Sequence, residues 1–515
     1  MDKLDLYTSI VPTTAQKIAQ RHTFNVFIHY GMNTFTGKEW GTGKESAQLF
    51  NPSEQDTDQW LRCIAASGAS GVILTCKHHD GFCLWPTETT AHSVKHSPYK
   101  DGKGDVVREV SDSCRKYGLR FGVYLSPWDR NHSTYGSEAY NDVYCRQLTE
   151  LLTNYGEIFC VWLDGACGSY MDNKPKQHYD FDRIYALVRE LAPNAVISNC
   201  GPDIRWVGNE GGIARKSEWN VVPAFACDTQ SIAEHSQHAD GEDMVKNSSD
   251  IVASDLGSRK FLAGYDEFMW YPAEVDVSIR PGWFYHKAQD AMVRSLDNLL
   301  KIYYTSVGGN SFLLLNVPPD KRGLICEQDA ETLRRLGAHL AKSRDQIVDV
   351  VSVSAPQAVE GCGCDNLLEY SYSGETGDPL AYYMPEREAQ SYTLTFQLDK
   401  PHSINRVQLI ENTAFSQRIE AFSVYVYQNG HRKKVYDGTT VGFGRIAVFA
   451  HAVETDRVEI VLTSVRKRPV LEFVGIYRDN GYRMKKSFLE PLKLWLHQKN
   501  YEFYVARENK KRKAK

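Results

Sequence analysis

Between residues 25 and 199 the chain alternates five times between short apolar runs and amphipathic segments, a rhythm that few folds accept. The apolar runs lie at 25–30, 71–77, 120–125, 158–163 and 195–199. Between them, apolar residues recur at helical spacing. Trp60, Leu61, Ile64 and Ala65 mark a helix over 57–66, stopped at Gly68. Val106, Val110, Cys114 and Tyr117 mark another, closed at Gly118. Tyr144, Leu148, Leu151, Leu152 and Tyr155 form a third set, and Phe181, Ile184, Val188 and Leu191 a fourth, ending near Pro193. Such alternation predicts a parallel sheet. Polar and aromatic residues gather after several of these strands rather than after two neighbours, which favours a closed (β/α)8-like barrel over an open doubly wound sheet. No Gly-x-Gly-x-x-Gly follows the first strand, so a dinucleotide-binding fold is disfavoured.

Beyond residue 199 the rhythm loosens. Residues 228–259 are polar and poorly periodic and read as a long excursion. Residues 261–264 read as a short strand. A long helix is expected from about Phe284, with Met292, Leu296, Leu299, Leu300 and Tyr303 on one face. Residues 311–316 give a last buried strand, halted by Pro318 and Pro319, and a helix from Glu327 to about Lys342 closes the barrel. The composition changes near Ser354. Residues 392–398 alternate strictly between apolar and polar, and 422–427 and 457–462 do so in part, with turn residues between them. This predicts a C-terminal antiparallel β-sandwich. From Asn480 the chain turns amphipathic and then basic; Lys510 to Lys513 read as a solvated tail. The expected division is a barrel over 1–350, a β-sandwich over 351–480 and an extension over 481–515.

The bulk numbers narrow the function classes. At 515 residues and 42% hydrophobic content, the chain can build two to four domains with a large core. A net charge of −4 speaks against a nucleic-acid partner. No apolar run reaches the ~18 residues of a membrane span. The twelve cysteines show no metal-like spacing, and Cys63, Cys76, Cys114 and Cys160 sit in apolar elements as reduced thiols. The first residues lack the apolar stretch of a signal peptide, so a cytoplasmic protein is expected, or a periplasmic or secreted one if a leader was removed before this numbering.

Chemistry concentrates at the predicted strand ends. Asp164 ends the fourth apolar run, with Gly165 and Gly168 allowing a close turn beyond it. A carboxylate there is placed for catalysis in a barrel; the plainer alternative is a cap on the next helix. Glu210, flanked by glycines beyond strand five, could face it across the barrel mouth. Two carboxyls on either side of a glycosidic bond, one ionised nucleophile and one protonated acid, are what sugar hydrolysis needs. Glu218, Asp266, Glu267 and Glu274 compete for the acid role. His29, His78 and His79 also fall at strand ends. They fit either a metal site with Asp80 or Asp164, or neutral imidazoles bonding to vicinal hydroxyls. Adjacent residues at a strand end usually point apart, so His78 and His79 should not share one ion, and no metal is expected. Trp40, Tyr124, Trp162 and Trp283 can offer apolar faces to a pyranose, or simply fill the core.

Three segments carry a resemblance: Phe27-Ile28-His29-Tyr30-Gly31, Lys77-His78-His79-Asp80-Gly81-Phe82 and Val161-Trp162-Leu163-Asp164-Gly165. Together they resemble glycoside hydrolase family 29, the α-L-fucosidases, over about residues 25–316. The resemblance implies Asp164 as nucleophile and His29, Glu39, Trp40, His78, His79, Tyr124 and Trp283 as sugar contacts. The stretch 205–210 resembles the subgroup acting on α-1,3 and α-1,4 fucosyl linkages of branched, Lewis-type glycans, which implies Glu210 as acid/base. Retention, no cofactor and a C-terminal β-sandwich are implied as well. Three other readings fit the same residues: a broad-specificity α-L-fucosidase, another retaining barrel glycosidase, and a non-catalytic protein that binds fucosylated glycans.

Overall fold

The computed structural model describes residues 2–166, 175–228 and 253–484. Its centre is an eight-stranded parallel sheet. The strands are β1 (Phe24–Ile28), β2 (Gly71–Lys77), β3 (Arg120–Leu125), β4 (Cys160–Leu163), β5 (Val196–Asn199) and β6 (Arg205–Trp206), then β9 (Ala273–Ser278) and β10 (Phe312–Asn316). They hydrogen-bond in the order β5-β4-β3-β2-β1-β10-β9-β6. A parallel bridge between Ser198 and Ile204 joins β5 to β6 and completes the circuit. A separate antiparallel ribbon pairs β7 (Val221–Pro223) with β8 (Phe268–Trp270).

The outer helices form where the apolar spacing places them. Thr57–Ala66 and Val106–Lys116 are capped by Asp56 and Asp105, whose carboxylates accept from backbone amides in the first turn. Their apolar faces pack on the outward residues of the strands in one large core that includes Trp60, Val72, Leu74, Val110, Val123 and Leu148. The closing helix runs Glu327–Asp345. Among the described residues no helix is long and apolar enough to cross a membrane.

Three expectations fail locally. Residues 261–264 are not a strand: a helix spans Arg259–Leu262, because Ser258 accepts from the Phe261 amide and starts a turn. The helix expected from Phe284 begins only at Leu296, where Ser295 caps it; Val293 before it is extended and Met292 stands exposed in a 3₁₀ segment. Strands β6 and β9 went unrecognised. β6 is two residues long. β9 reads Ala-Glu-Val-Asp-Val-Ser, an alternation suited to a half-exposed strand. In the barrel, Val275 and Val277 join the outer core while Glu274 and Asp276 find polar partners inside. Gly168, residues 229–252 of the expected excursion and 485–515 of the extension lie outside the described residues.

The C-terminal domain is antiparallel, with strands β11 (Val350–Ser354), β12 (Tyr392–Glu411), β13 (Ile419–Gln428), β14 (His431–Gly438), β15 (Arg445–Val465) and β16 (Leu471–Arg478). Register shifts interrupt the long β12–β15 pair at Gln397/His402 and Ile404/Arg406. The first half of β12 pairs β11 and the second half pairs β16, while both halves face β15. Side chains from both halves, including Leu394, Phe396, Val407 and Leu409, share one core.

Candidate active site

Asp164 follows β4 directly and is partly exposed. Its Oδ2 accepts from the Tyr124 hydroxyl at 3.0 Å, and its Oδ1 accepts from the Ala166 amide at 2.9 Å. The local turn expected of a strand-ending Asp is therefore present, but it uses only one oxygen. Leu163, the residue before Asp164, is fixed through its carbonyl, which accepts from the Cys200 amide and the Asn199 side chain at 3.1 and 3.0 Å. Asn199 reaches it from a left-handed backbone, φ 66°. Asn tolerates that region because its short amide bonds locally.

The three histidines line the same mouth. His29 follows β1, and its Nδ1 lies 2.8 Å from Asn316 Oδ1. The Asn316 amide nitrogen already donates to Ser278 Oγ and to the Trp283 carbonyl, so Oδ1 is the acceptor and His29 Nδ1 carries the proton. That leaves Nε2 as an acceptor. His78 Nδ1 faces Asn33 Nδ2 at 3.3 Å; Nδ1 accepts there, and its Nε2 carries the donor hydrogen. His79 Nδ1 meets Ser126 Oγ at 2.7 Å, and its Nε2 lies 3.8 Å from Asp164 Oδ2. Burial pushes all three imidazoles down, His29 to about 3 and His79 to about 4, with His78 well below the ordinary value, so they work as neutral rings.

His78 and His79 do not point apart. Their ring centroids are 4.1 Å apart. The β2–β3 register shifts between Thr75 and Lys77, and such an irregularity re-aims the side chains that follow it.

Glu39 and Trp40 come from the loop between β1 and the Thr57–Ala66 helix. Glu39 Oε2 accepts from the Trp283 amide at 2.9 Å, and Oε1 lies 3.1 Å from His286 Nε2. A Cβ on Gly282 would fall 2.2 Å from that same Oε1, so a side chain there would push the Glu39 carboxylate out of this position. Glu39 thereby fixes the loop that presents Trp283. The Trp283 ring lies 5.0 Å from His29, and its Nε1 donates to Glu210 Oε2 at 3.3 Å. Trp40 lies 6.3 Å from His79 and 6.1 Å from Trp128. A continuous chain of neighbours thus runs from Asp164 through His79, His78, His29 and Trp283 to Glu210. Trp162 is held deeper. It is 7% exposed, donates from Nε1 to Glu274 Oε1 at 2.8 Å, and packs on Phe27 and Tyr124.

The competing acids are placed elsewhere. Glu218 is fully buried between Arg205 and Arg215. Asp266 is exposed beside Lys3, and Glu267 is exposed next to the β7–β8 ribbon. Glu274 lies inside the barrel, held by Trp162 and by Ser198 Oγ at 2.9 Å; burial pushes its carboxyl up to about 7. Asp276, which accepts from Trp206 Nε1 at 2.7 Å, is also pushed up, by burial and by the charge of Glu210. Sequence reasoning missed Asp276, Trp128 and Asn316. Asn316 could have been found as the polar end of the last strand; Asp276 could not, because β9 was not recognised.

A family model described as alpha-L-fucosidase matches residues 8–345. Alpha-L-fucosidase 1 from Arabidopsis thaliana is 38% identical over 482 residues, covering 91% of this chain and 88% of its own. Among solved structures, a Bacteroides ovatus protein assigned as an alpha-L-fucosidase is 41% identical with a TM-score of 0.78, covering 94% of this chain and 77% of its own. A Ruminococcus gnavus GH29 fucosidase in complex with fucose is 25% identical with a TM-score of 0.76, covering 91% and 95%.

Proposed function

The chain belongs to the α-L-fucosidase family of glycoside hydrolases, which act on fucosyl bonds, and on that premise we propose that it releases terminal α-1,3- or α-1,4-linked L-fucose from branched glycans with net retention. Asp164 attacks the anomeric carbon while Glu210 gives its proton to the departing glycan oxygen. Glu210 then takes a proton from water, and the hydroxide equivalent cleaves the fucosyl–Asp164 ester. The observation that carries this reading is the chain of neighbours that brings Asp164 and Glu210 to one barrel mouth.

The surroundings supply what each step needs. The Tyr124 hydroxyl holds one oxygen of Asp164 and leaves a carboxylate for attack. The Trp283 indole orients Glu210 from the side where His29 sits. His29 Nε2 accepts and His78 Nε2 donates, a pair of opposite polarity that suits vicinal hydroxyls of a sugar. The neutral rings add no positive charge that would compete with the developing oxocarbenium ion. For the linkage, the support is the resemblance of the stretch 205–210 to the α-1,3/1,4 subgroup.

The test is fucose release from a branched α-1,3- or α-1,4-fucosylated trisaccharide, an α-1,2-fucosylated lactose and an aryl α-L-fucoside, with the first product anomer followed by NMR. Cleavage of the branched trisaccharide and of the aryl fucoside, whose activated leaving group needs no branch sugar, but not of the α-1,2-fucosylated lactose, is expected, with α-L-fucose appearing first. Broad cleavage would remove the linkage assignment, and β-L-fucose as first product would remove Asp164 as nucleophile. Asp164→Asn should be inactive on every substrate.

A further inference from the structure

Glu210 sits on a turn whose geometry is set at its base. Asn209 closes the turn: its Oδ1 accepts from the Gly211 and Ile213 amides at 3.0 and 3.2 Å, and its Nδ2 donates to the Ile213 carbonyl at 2.9 Å. Arg215 then reaches back to the Val207 carbonyl at 3.3 Å and to Glu218 Oε2 at 3.4 Å. Arg205, the first residue of β6, binds the other oxygen of Glu218. Both ends of the Glu210 turn therefore meet at one buried carboxylate.

That base is also a seam with the C-terminal domain. Gln417 is fully buried, donates from Nε2 to the Glu218 carbonyl at 3.1 Å and accepts from the Asn220 amide at 2.8 Å. Thr439 Oγ1 donates to the Lys216 carbonyl at 2.7 Å, and Arg445 Nη1 donates to the same oxygen at 3.3 Å. Asn310, just before β10, joins the seam. It donates to the Glu218 carbonyl at 2.9 Å and accepts from the Phe443 amide at 2.9 Å. Lys216, Glu218 and Asn220 are thus each held through the backbone by a side chain more than 195 residues away in sequence.

We propose that the C-terminal domain is a positioning element for Glu210, with Gln417 and Thr439 as the residues that set the angle at which the acid meets the leaving glycan oxygen. The inference rests on the assignment of Glu210 made above. A hydrogen bond to a carbonyl two turns from a catalytic carboxyl does not touch substrate. It limits how far the turn can drift, and general acid catalysis fails steeply once the proton is out of hydrogen-bond reach of the leaving oxygen. Departure of a poor leaving group needs that proton, whereas a nitrophenolate departs without it.

Thr439→Val and Gln417→Leu test the idea, with Tm recorded for each. For the branched trisaccharide, kcat is expected to fall about tenfold in both variants at nearly constant KM. For a nitrophenyl α-L-fucoside, the change should stay under about twofold. Thr439→Ser keeps the hydroxyl and should restore the trisaccharide rate. Equal loss on both substrates, or folded variants with unchanged selectivity, would overturn the proposal. Glu210→Ala run beside them separates the two layers. Leaving-group dependence in Glu210→Ala but not in the seam variants removes the positioning role alone. Its absence in Glu210→Ala removes the acid assignment and the seam's role with it.

Discussion

Glu274 shows how a single residue can carry a pH dependence for the whole fold. Two donors, Trp162 Nε1 and Ser198 Oγ, meet the same oxygen, Oε1. The other oxygen can hold a proton, and burial keeps the carboxyl protonated up to about 7. An unfolded glutamate releases its proton near 4.5. Below that pH both states are protonated and the contribution is fully present. As pH rises from about 4.5 to 7, only the unfolded state gains by ionising, so stability falls, by roughly 3 kcal/mol. Glu274→Gln keeps a neutral, hydrogen-bonding group at all pH. Its Tm relative to wild type should therefore rise between pH 5 and pH 7 and level off above that, and a flat difference would show that Glu274 is ionised in the fold.

At the scale of elements, the site depends on loops that ordinary strands and helices hold in unusual register. The β2 irregularity turns both His78 and His79 into the mouth. The loop carrying Glu39 and Trp40 folds back against them at Gly41. A Cβ at Gly41 would lie 2.6 Å from Asp80 Cβ and 2.8 Å from Asn33 Oδ1, and neither neighbour can move far: Asp80 and Asn33 are buried. Gly41→Ala should displace Trp40 and Glu39, and through Glu39 the loop bearing Trp283. The expected result is at least a tenfold fall in kcat/KM, with a stability cost of about 1–3 kcal/mol. Steady-state kinetics with wild-type-like values would show that this loop does not govern the candidate active site.

The barrel core and the C-terminal core meet through apolar contacts, such as Phe312 against Phe443 with ring centroids 5.1 Å apart, and through polar ones. Besides the Gln417 seam, Arg21 forms a two-point ion pair with Glu472 of β16, with side chains 8% and 2% exposed, and also bonds the Gly377 carbonyl. Arg466 stacks over Trp219 at 3.5 Å. Removing one partner of a buried pair strands the other charge. Glu472→Ala should lower stability by about 3–5 kcal/mol in denaturant titration while leaving the rate of the surviving folded enzyme intact. A loss below about 1 kcal/mol would mean that the two domains are held by other contacts.

The barrel's first five strands, its closing helix and the three segments that carry the family resemblance were legible because each is local: an apolar run, a helical period or a short motif. Asp164, His29 and His79 could be named from where a run stops. β9 could not, because its pattern of Val275 and Val277 against Glu274 and Asp276 is the same for a surface strand and for a barrel strand with a polar interior; only closure of the barrel says which side is inside. Hydrophobic periodicity thus determined the architecture and the family-bearing strand ends. The tertiary structure alone decided the tautomers of the histidines, the placing of Glu210 beside Trp283 and its tether to a domain two hundred residues later, because each depends on partners that meet only when distant strands close the circuit.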